Sequence, residues 1–286
     1  MGDAMKLGIN LLCLGGHIDE SHLPLIERIA EIGYDHVEVP VMHGDPSHYA
    51  WLGERLAGLG LGRAQTSIVP DPDANPLSDD PAVRRRGLDH LSWIQDCAEA
   101  LGSETVGGPF HAPMAHFTGE GPTEAEIARG AEAHRAMAER AGRNGYVLAL
   151  EHLNRFETYF LNTMEQARAY VDSVGHPAFG IMYDTFHANI EEHDQAGAIR
   201  MLGEAMHVLH VSENDRGIPG RGQIDFATVF RTAKETGFDG PVVLEAFGAG
   251  VPELAAATRV WRPLFPDFET LFSESHDFIR RTWEAA

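Results

Sequence analysis

Four polar side chains in the second half of the chain each follow a short apolar run. Glu151 follows the letters YVLAL, Asp184 follows FGIMY, His210 follows MHVL and Glu245 follows PVVL. Such positions are unusual for charged groups, because ionised side chains are seldom buried without a partner. Three carboxylates and one imidazole are also side chains that bind divalent metals. The four residues therefore predict a metal site, provided that the fold brings them together.

The elements that must position these residues are predicted by hydrophobic periodicity. Eight short apolar runs read as strands, at residues 7–14, 36–42, 62–69, 104–110, 146–153, 179–186, 206–212 and 241–247. Helical patterns lie between them, at residues 23–32, 49–59, 81–101, 123–144, 163–174, 195–202 and 226–236, with a final pair at 253–261 and 268–283. Glycines such as Gly33 and Gly102 follow the helical patterns, where a left-handed cap ends a helix.

Strand and helix alternate eight times without a domain-sized change in composition, which is typical of an α/β fold with a (β/α)8 TIM barrel. The length of 286 residues fits a single barrel domain over residues 1–286, with a C-terminal helical extension at about 253–286. No GxGxxG motif follows the first strand, so a doubly wound dinucleotide-binding sheet lacks its usual fingerprint.

Active sites of such barrels lie at the carboxyl ends of the strands. Alternation places an apolar column below each candidate ligand, for example Ala149 below Glu151 and Met182 below Asp184, so all four point into one mouth. Converging carboxylates repel each other and require a cation. An oxygen-rich set favours Mn²⁺, with Mg²⁺ or Co²⁺ as alternatives to it. The competing interpretation is that each acid pairs with a neighbouring arginine.

Composition excludes several other classes of function. The net charge of −21 disfavours nucleic acid as a partner. No apolar stretch reaches the roughly 20 residues that span a bilayer, and the first residues lack a signal-peptide pattern, so we expect no membrane partner and a cytoplasmic location. Only Lys6 and Lys234 are lysines, which argues against Schiff-base and pyridoxal chemistry.

Several motifs resemble one family of enzymes. The segments ALEHLNRFETYFLNT, MYDTFH, HVSENDRGIPGRGQIDF and VVLEAF are similar to the D-tagatose/D-allulose (psicose) 3-epimerases, which are ketose 3-epimerases among the xylose-isomerase-like barrels. The resemblance covers essentially the whole chain and is densest from residue 146 to 247. The chain departs from the family pattern at two positions. His152 follows the first candidate ligand, and Asn214 stands where the family motif often carries cysteine.

The resemblance implies roles for individual residues. It implies that the metal ligands are Glu151, Asp184, His210 and Glu245. Glu151 and Glu245 would also act as the acid/base pair on opposite faces of the substrate. The sugar's O1 and O2 end would be held by Glu157, His187 and Arg216. The resemblance also implies that the chain assembles as a homodimer or a homotetramer, so we expect a homo-oligomer.

The expected function is a metal-dependent ketose 3-epimerase that inverts C3 of a free keto-sugar of the D-tagatose, D-allulose/D-fructose or L-ribulose type. Removing the proton beside a carbonyl creates an enediolate, whose charge a chelating metal stabilises. Return of a proton to the opposite face then inverts the carbon.

Other functions stay open at this point. A hydroxypyruvate or sugar-phosphate isomerase and a keto-sugar lyase, such as a C-glycoside deglycosylating subunit, share the enediolate step. A relative of endonuclease IV shares the barrel, and a metal-stabilised sugar-binding barrel needs no catalysis. Arg216 and Arg221 follow strand seven, where barrels often bind phosphate, so a phosphorylated substrate is a further alternative. Glu157 could instead form a loop ion pair with Arg155.

Overall fold

Eight parallel strands close into one barrel in the computed structural model, which describes residues 5–286. Each strand pairs with its neighbours in chain order, and β1 pairs with β8 to close the ring. The strands are β1 Leu7–Asn10, β2 His36–Pro40, β3 Gly62–Thr66, β4 Thr105–Gly108, β5 Val147–Glu151, β6 Phe179–Asp184, β7 Met206–Val211 and β8 Val242–Leu244. The prediction of a single-domain (β/α)8 barrel is confirmed.

Helices surround the barrel and bury its outer face. They are α1 Leu23–Ile32, α2 Pro46–Gly58, α3 Pro81–Leu101, α4 Glu124–Asn144, α5 Met164–Val174, α6 Thr185–Glu191, α7 Gln195–Leu202, α8 Phe226–Glu235, α9 Pro252–Thr258 and α10 Phe268–Ala285. Helix α3 ends at Gly102, whose φ of 70° is the left-handed conformation expected at that position. Outward residues such as Val37 and Val39 belong to the main core between sheet and helices.

The interior of the barrel holds a separate apolar layer of four buried side chains, Ala149, Met182, Val208 and Val243. Strand register places Asp184 beside His210 and places His210 beside Val243 of this layer. The alternation expected from the sequence therefore holds on strands five to eight. The next inward position after this layer is the carboxyl end of each strand, where the candidate ligands lie.

All eight predicted strands extend beyond the observed ones, and at two of them the next element begins directly at the strand end. Strand β1 ends at Asn10, whose side-chain oxygen accepts a hydrogen bond from the Leu12 backbone N–H and starts a 3₁₀ turn at Leu11–Cys13. Strand β6 ends at Asp184, whose carboxylate accepts from the N–H groups of Phe186 and His187 and caps α6. The sequence prediction missed α6 because a helix of seven residues directly after an apolar strand is too short to show a periodicity of its own.

The last helix, α10, packs against α8 and α1 and so fills the gap between the end and the start of the helical ring. The division into a barrel and a C-terminal extension beginning near residue 253 stays a prediction. Over residues 5–286, no helix combines the length and apolar character required to cross a bilayer.

Buried histidines make the stability of this fold depend on pH. His134 in α4 stacks on Phe179 and lies edge-on to Phe110, and burial lowers its pKa to about 4. Burial also lowers the pKa of His111 to about 3. The unfolded chain therefore binds more protons than the folded chain below the ordinary histidine pKa of about 6.5. Protonation of these groups therefore reduces the free energy of unfolding as the pH falls toward 4.

We predict that lowering the pH from 7 to 5 reduces the free energy of unfolding by roughly 1–2 kcal/mol for each such histidine. The His134→Gln variant, which cannot ionise, should be less stable at pH 7 but should lose less on acidification than the wild type. Urea midpoints of both proteins at the two pH values test this. An equal loss in both proteins would show that His134 does not contribute.

Candidate active site

A cavity of about 240 Å³ opens at the carboxyl ends of the strands. Its floor includes Glu151, His187, Arg216 and Glu245, and apolar side chains such as Leu12, Met42, Ile68, Met114, Phe247 and Leu254 form much of its wall. A larger cavity, of about 760 Å³, lies at the opposite end of the barrel. Catalytic sites of these barrels lie at the carboxyl face, so position rather than size identifies the smaller cavity as the candidate active site.

The four predicted ligands meet at this cavity, which Glu151 and Glu245 line. One ligand atom from each of Glu151, Asp184, His210 and Glu245 lies within 4.8 Å of the others, and all four residues are buried. Among the described residues, this is the one group of three or more such side chains with that geometry. The strand ends of β5 and β6, the body of β7 and the residue after β8 supply them, as the sequence indicated.

The electrostatics of this floor are dominated by crowded negative charge. Burial raises the pKa of Glu151 well above its ordinary range, and the neighbouring Glu245 and Asp184 add to that effect. Burial acts in the same direction on Asp184, but Arg216 and His187 outweigh it and hold the pKa of Asp184 well below its usual value. Burial would lower the pKa of His210, yet Glu38 and Glu245 raise it well above the ordinary value.

The donor set fits a divalent metal. Both ring nitrogens of His210 are buried without a hydrogen-bond partner in the described chain, and Nδ1 lies 3.5 Å from Glu245 Oε1 and 3.7 Å from Asp184 Oδ2. An unpaired buried nitrogen that faces carboxylate oxygens is the arrangement a cation resolves, because the cation binds the lone pair and neutralises the acids. The site can therefore hold a divalent metal through these four residues.

Arg216 partly satisfies the competing interpretation of arginine pairing. Its Nη1 lies 3.3 Å from Asp184 Oδ2 and contacts Glu245 Oε2, while its guanidinium is stacked between the rings of Phe186 and Phe247 at 3.8 and 4.9 Å. The backbone φ of Arg216 is 68°, a conformation that is strained for a residue with a side chain. One arginine held in this way cannot neutralise three carboxylates.

His187 and Glu157 also line the cavity. His187 Nδ1 accepts hydrogen bonds from the backbone N–H and side-chain amide of Asn154, and its Nε2 lies 3.5 Å from Glu151 Oε1. Glu157 accepts from the same Asn154 amide at 2.8 Å. The alternative ion pair between Glu157 and Arg155 is wrong, because Arg155 pairs with Glu191 at 2.8 Å.

Comparison with known proteins agrees with this geometry. The model of the xylose isomerase-like TIM barrel family matches residues 26–281. A ketose 3-epimerase from Arthrobacter globiformis is 35% identical over 280 residues, with 96% of each chain covered. The chain belongs to the xylose isomerase-like TIM barrel family, among the ketose 3-epimerases.

Solved structures of family members superimpose closely on this member. An L-ribulose 3-epimerase has a TM-score of 0.90 at 32% identity, covering 99% of this chain and 95% of its own. A D-allulose 3-epimerase from Methylomonas sp., in complex with D-allulose, has a TM-score of 0.89 at 27% identity and covers 97% of both chains. The prediction that the chain is an isomerase of the carbohydrate epimerase type is confirmed.

Two polar residues of this family member's site were missed by the sequence analysis. Glu38 on β2 and Asn10 at the end of β1 are both buried beside the ligand cluster. Asn10 Nδ2 donates to Glu38 Oε2 at 2.8 Å and to Glu245 Oε1 at 3.3 Å. The sequence does contain a signal for Glu38, because it is a lone acid between Val37 and Val39 in an apolar strand.

We predict that Mn²⁺ raises the thermal midpoint of the wild-type protein, because a ligand that binds only the folded state stabilises it by about 2.7 kcal/mol at 100 times its dissociation constant. The Asp184→Asn variant should lose this response while keeping the cap of α6, since asparagine also caps helices. Differential scanning fluorimetry with and without Mn²⁺ measures the shift.

The matched control for this measurement is Asp194→Asn. Asp194 caps α7 through Gly197 in the same way that Asp184 caps α6, but it does not belong to the ligand cluster. The control should keep the full Mn²⁺ response. A response that persists in Asp184→Asn, or that disappears in Asp194→Asn, would contradict the assignment of the metal to this cluster.

Proposed function

We propose that the chain is a metal-dependent ketose 3-epimerase that inverts C3 of a free keto-sugar of the D-tagatose, D-allulose/D-fructose or L-ribulose type. The observation that carries the proposal is the meeting of Asp184 and His210 with Glu151 and Glu245, the two ligands that line a small cavity. Membership of the ketose 3-epimerases supports the same reaction.

Epimerisation requires one group that takes a proton from C3 and another that returns a proton to the opposite face. Glu151 ends β5 and Glu245 follows β8, so the two carboxylates enter the cavity from different strands of the ring. Burial and the neighbouring Glu245 and Asp184 raise the pKa of Glu151 well above its ordinary value, which is the direction that favours proton transfer to this carboxyl. We assign the acid and base roles to this pair, and the configuration of the substrate decides which glutamate acts first.

We assign Glu157, His187 and Arg216 to the O1 and O2 end of the sugar. All three line the cavity, and Arg216 Nη2 and His187 Nε2 are 3.0 Å apart, so both can contact one pair of neighbouring oxygens. Asn154 holds the His187 ring through Nδ1, so Nε2 faces Arg216 and the cavity. These contacts would orient the carbonyl carbon and C3 beside the two glutamates.

Glu151, Asp184, His210 and Glu245 would hold the metal, and we propose Mn²⁺ because three oxygen donors with one nitrogen suit it, as they suit Mg²⁺ and Co²⁺. When bound, the metal would supply electrostatic stabilisation of the negative charge that develops on the sugar oxygens. The buried floor would exclude bulk water from the enediolate, which protects it from side reactions.

A free sugar is favoured over a phosphorylated one by the position of the arginines. Arg221, the second arginine of the loop after β7, pairs with Glu274 at 2.6 Å, and its side chain is 51% exposed. Arg216 is the one arginine or lysine among the described residues that line the cavity, and it faces the carboxylates. A phosphate would lack the cationic partners that usually bind it.

We predict that Mn²⁺-loaded protein in D₂O exchanges the C3 proton of at least one of D-fructose, D-allulose, D-tagatose and L-ribulose and forms its C3 epimer. Proton NMR follows both events. The Glu245→Gln variant should lose about 10²- to 10⁴-fold in kcat, because one of the two proton-transfer groups is removed. Glu274→Gln, which carries the same change in charge on the surface, is the matched control.

Other outcomes of this assay select other functions. Exchange at C1 with an aldose product would move the assignment to a sugar isomerase. A protein that binds Mn²⁺ and exchanges no proton of any of the four sugars would reject the free-ketose epimerase and favour a glycosidic substrate or a sugar-binding barrel.

We also propose that the chain forms a homodimer or homotetramer and acts in the cytoplasm. Phe156 and Trp261 are 68% and 74% exposed, and large exposed apolar side chains often belong to interfaces between subunits. Both cysteines, Cys13 and Cys97, are free and buried, as a reducing compartment allows. Sedimentation velocity should give a mass above that of the 31.3 kDa chain, and a monomer at micromolar concentration would reject the oligomer.

A further inference from the structure

Glu38 is a fourth carboxylate at the ligand cluster that the proposed reaction does not use. It lies in the middle of β2, is 0% exposed and is absent from the described lining of the cavity. An acid in such a position is costly unless it has a partner, so its retention in an otherwise apolar strand requires an explanation.

The Glu38 carboxylate faces Nε2 of His210. Nε2 of His210 lies 2.9 Å from Glu38 Oε2 but is not aligned for a hydrogen bond in this structure, while Nδ1 of the same ring faces Asp184 and Glu245. The two ring nitrogens therefore have different surroundings. One nitrogen points toward the proposed metal position, and the other points at a carboxylate outside the described lining of the cavity.

The carboxylate of Glu38 is itself held in place. Asn10, its register partner on β1, donates to Oε2 at 2.8 Å. Its other oxygen, Oε1, lies beside Gly107 on β4, where a Cβ atom would stand 3.2 Å from it. On the backbone side, the Thr185 hydroxyl donates to the carbonyl oxygens of His210 and Ser212. The strand carrying His210 is thus fixed, and the ring orientation is the freedom that Glu38 can restrict.

We propose that Glu38 is a positioning residue that orients His210 for the metal. In the loaded protein the Nε2–H of His210 donates to Glu38, which fixes the tautomer and leaves the lone pair of Nδ1 for the metal. A carboxylate behind a ligating imidazole also increases the basicity of that imidazole, and loss of such a partner usually weakens metal binding by about 10- to 100-fold. This inference rests on the metal site of the proposed function.

The test compares Mn²⁺ affinity of the wild type, Glu38→Gln and Glu38→Ala by isothermal titration calorimetry. Glu38→Ala removes the acceptor and should raise the dissociation constant by about 10- to 100-fold. Glu38→Gln keeps a neutral carbonyl acceptor of the same length and should give an intermediate value. Glu104→Gln and Glu104→Ala, which change a carboxylate at the opposite end of the barrel, should bind as the wild type does.

A spectroscopic readout separates positioning from a general loss of structure. In the Co²⁺-loaded protein, the exchangeable Nε2–H proton of His210 should give a paramagnetically shifted NMR signal in the wild type and in Glu38→Gln. The signal should disappear into solvent exchange in Glu38→Ala. If the alanine variant does not fold, the near-isosteric glutamine variant still tests the proposal through its affinity.

The outcomes distinguish the two hypotheses. A folded Glu38→Ala variant that binds Mn²⁺ as tightly as the wild type and keeps the shifted proton would overturn the role of Glu38 alone. Glutamine and alanine variants that bind equally to each other and to the Glu104 controls would overturn it as well. A wild-type protein that binds no divalent ion would reject the metal site, and the inference with it.

Discussion

The constraint on which the structure depends most is the repulsion between carboxylates that are buried together at the mouth of the barrel, because this repulsion must be compensated. Glu151, Asp184 and Glu245 are buried close together, and ionised groups of like charge are stable there only with a compensating cation. Arg216 supplies part of that compensation. Two aromatic rings and a left-handed backbone hold it in place. A divalent ion bound by these residues would supply the remaining positive charge.

The geometry of the barrel is what makes this convergence possible. Alternation along the strands directs Ala149, Met182, Val208 and Val243 into a packed layer, and the next inward positions carry the ligands. The same alternation turns the outward side chains toward the helices. A slip of one residue in any of these strands would turn its ligand into the helical core, so burial of the apolar layer also fixes the position of the site.

Several side chains serve the fold and the site together. One oxygen of Asp184 caps α6, and the other faces Arg216 and His210. Asn10 starts the turn after β1 through its oxygen and donates through its nitrogen to Glu38 and Glu245. Strand ends and site geometry are therefore coupled, because moving either cap would also move a group at the cluster.

The sequence by itself determined the barrel, the layer below the site and the four converging ligands, because a strand's period of two and its end are local properties. It missed α6, the stacking of Arg216, and the contacts of Glu38 and Asn10. The contacts of Glu38 and Asn10 depend on closure of the ring, which brings the first two strands beside the last two. Asn10 and Glu245 are 235 residues apart, and no local pattern reports that they touch. Only the tertiary structure could decide which distant strands share the mouth of the barrel.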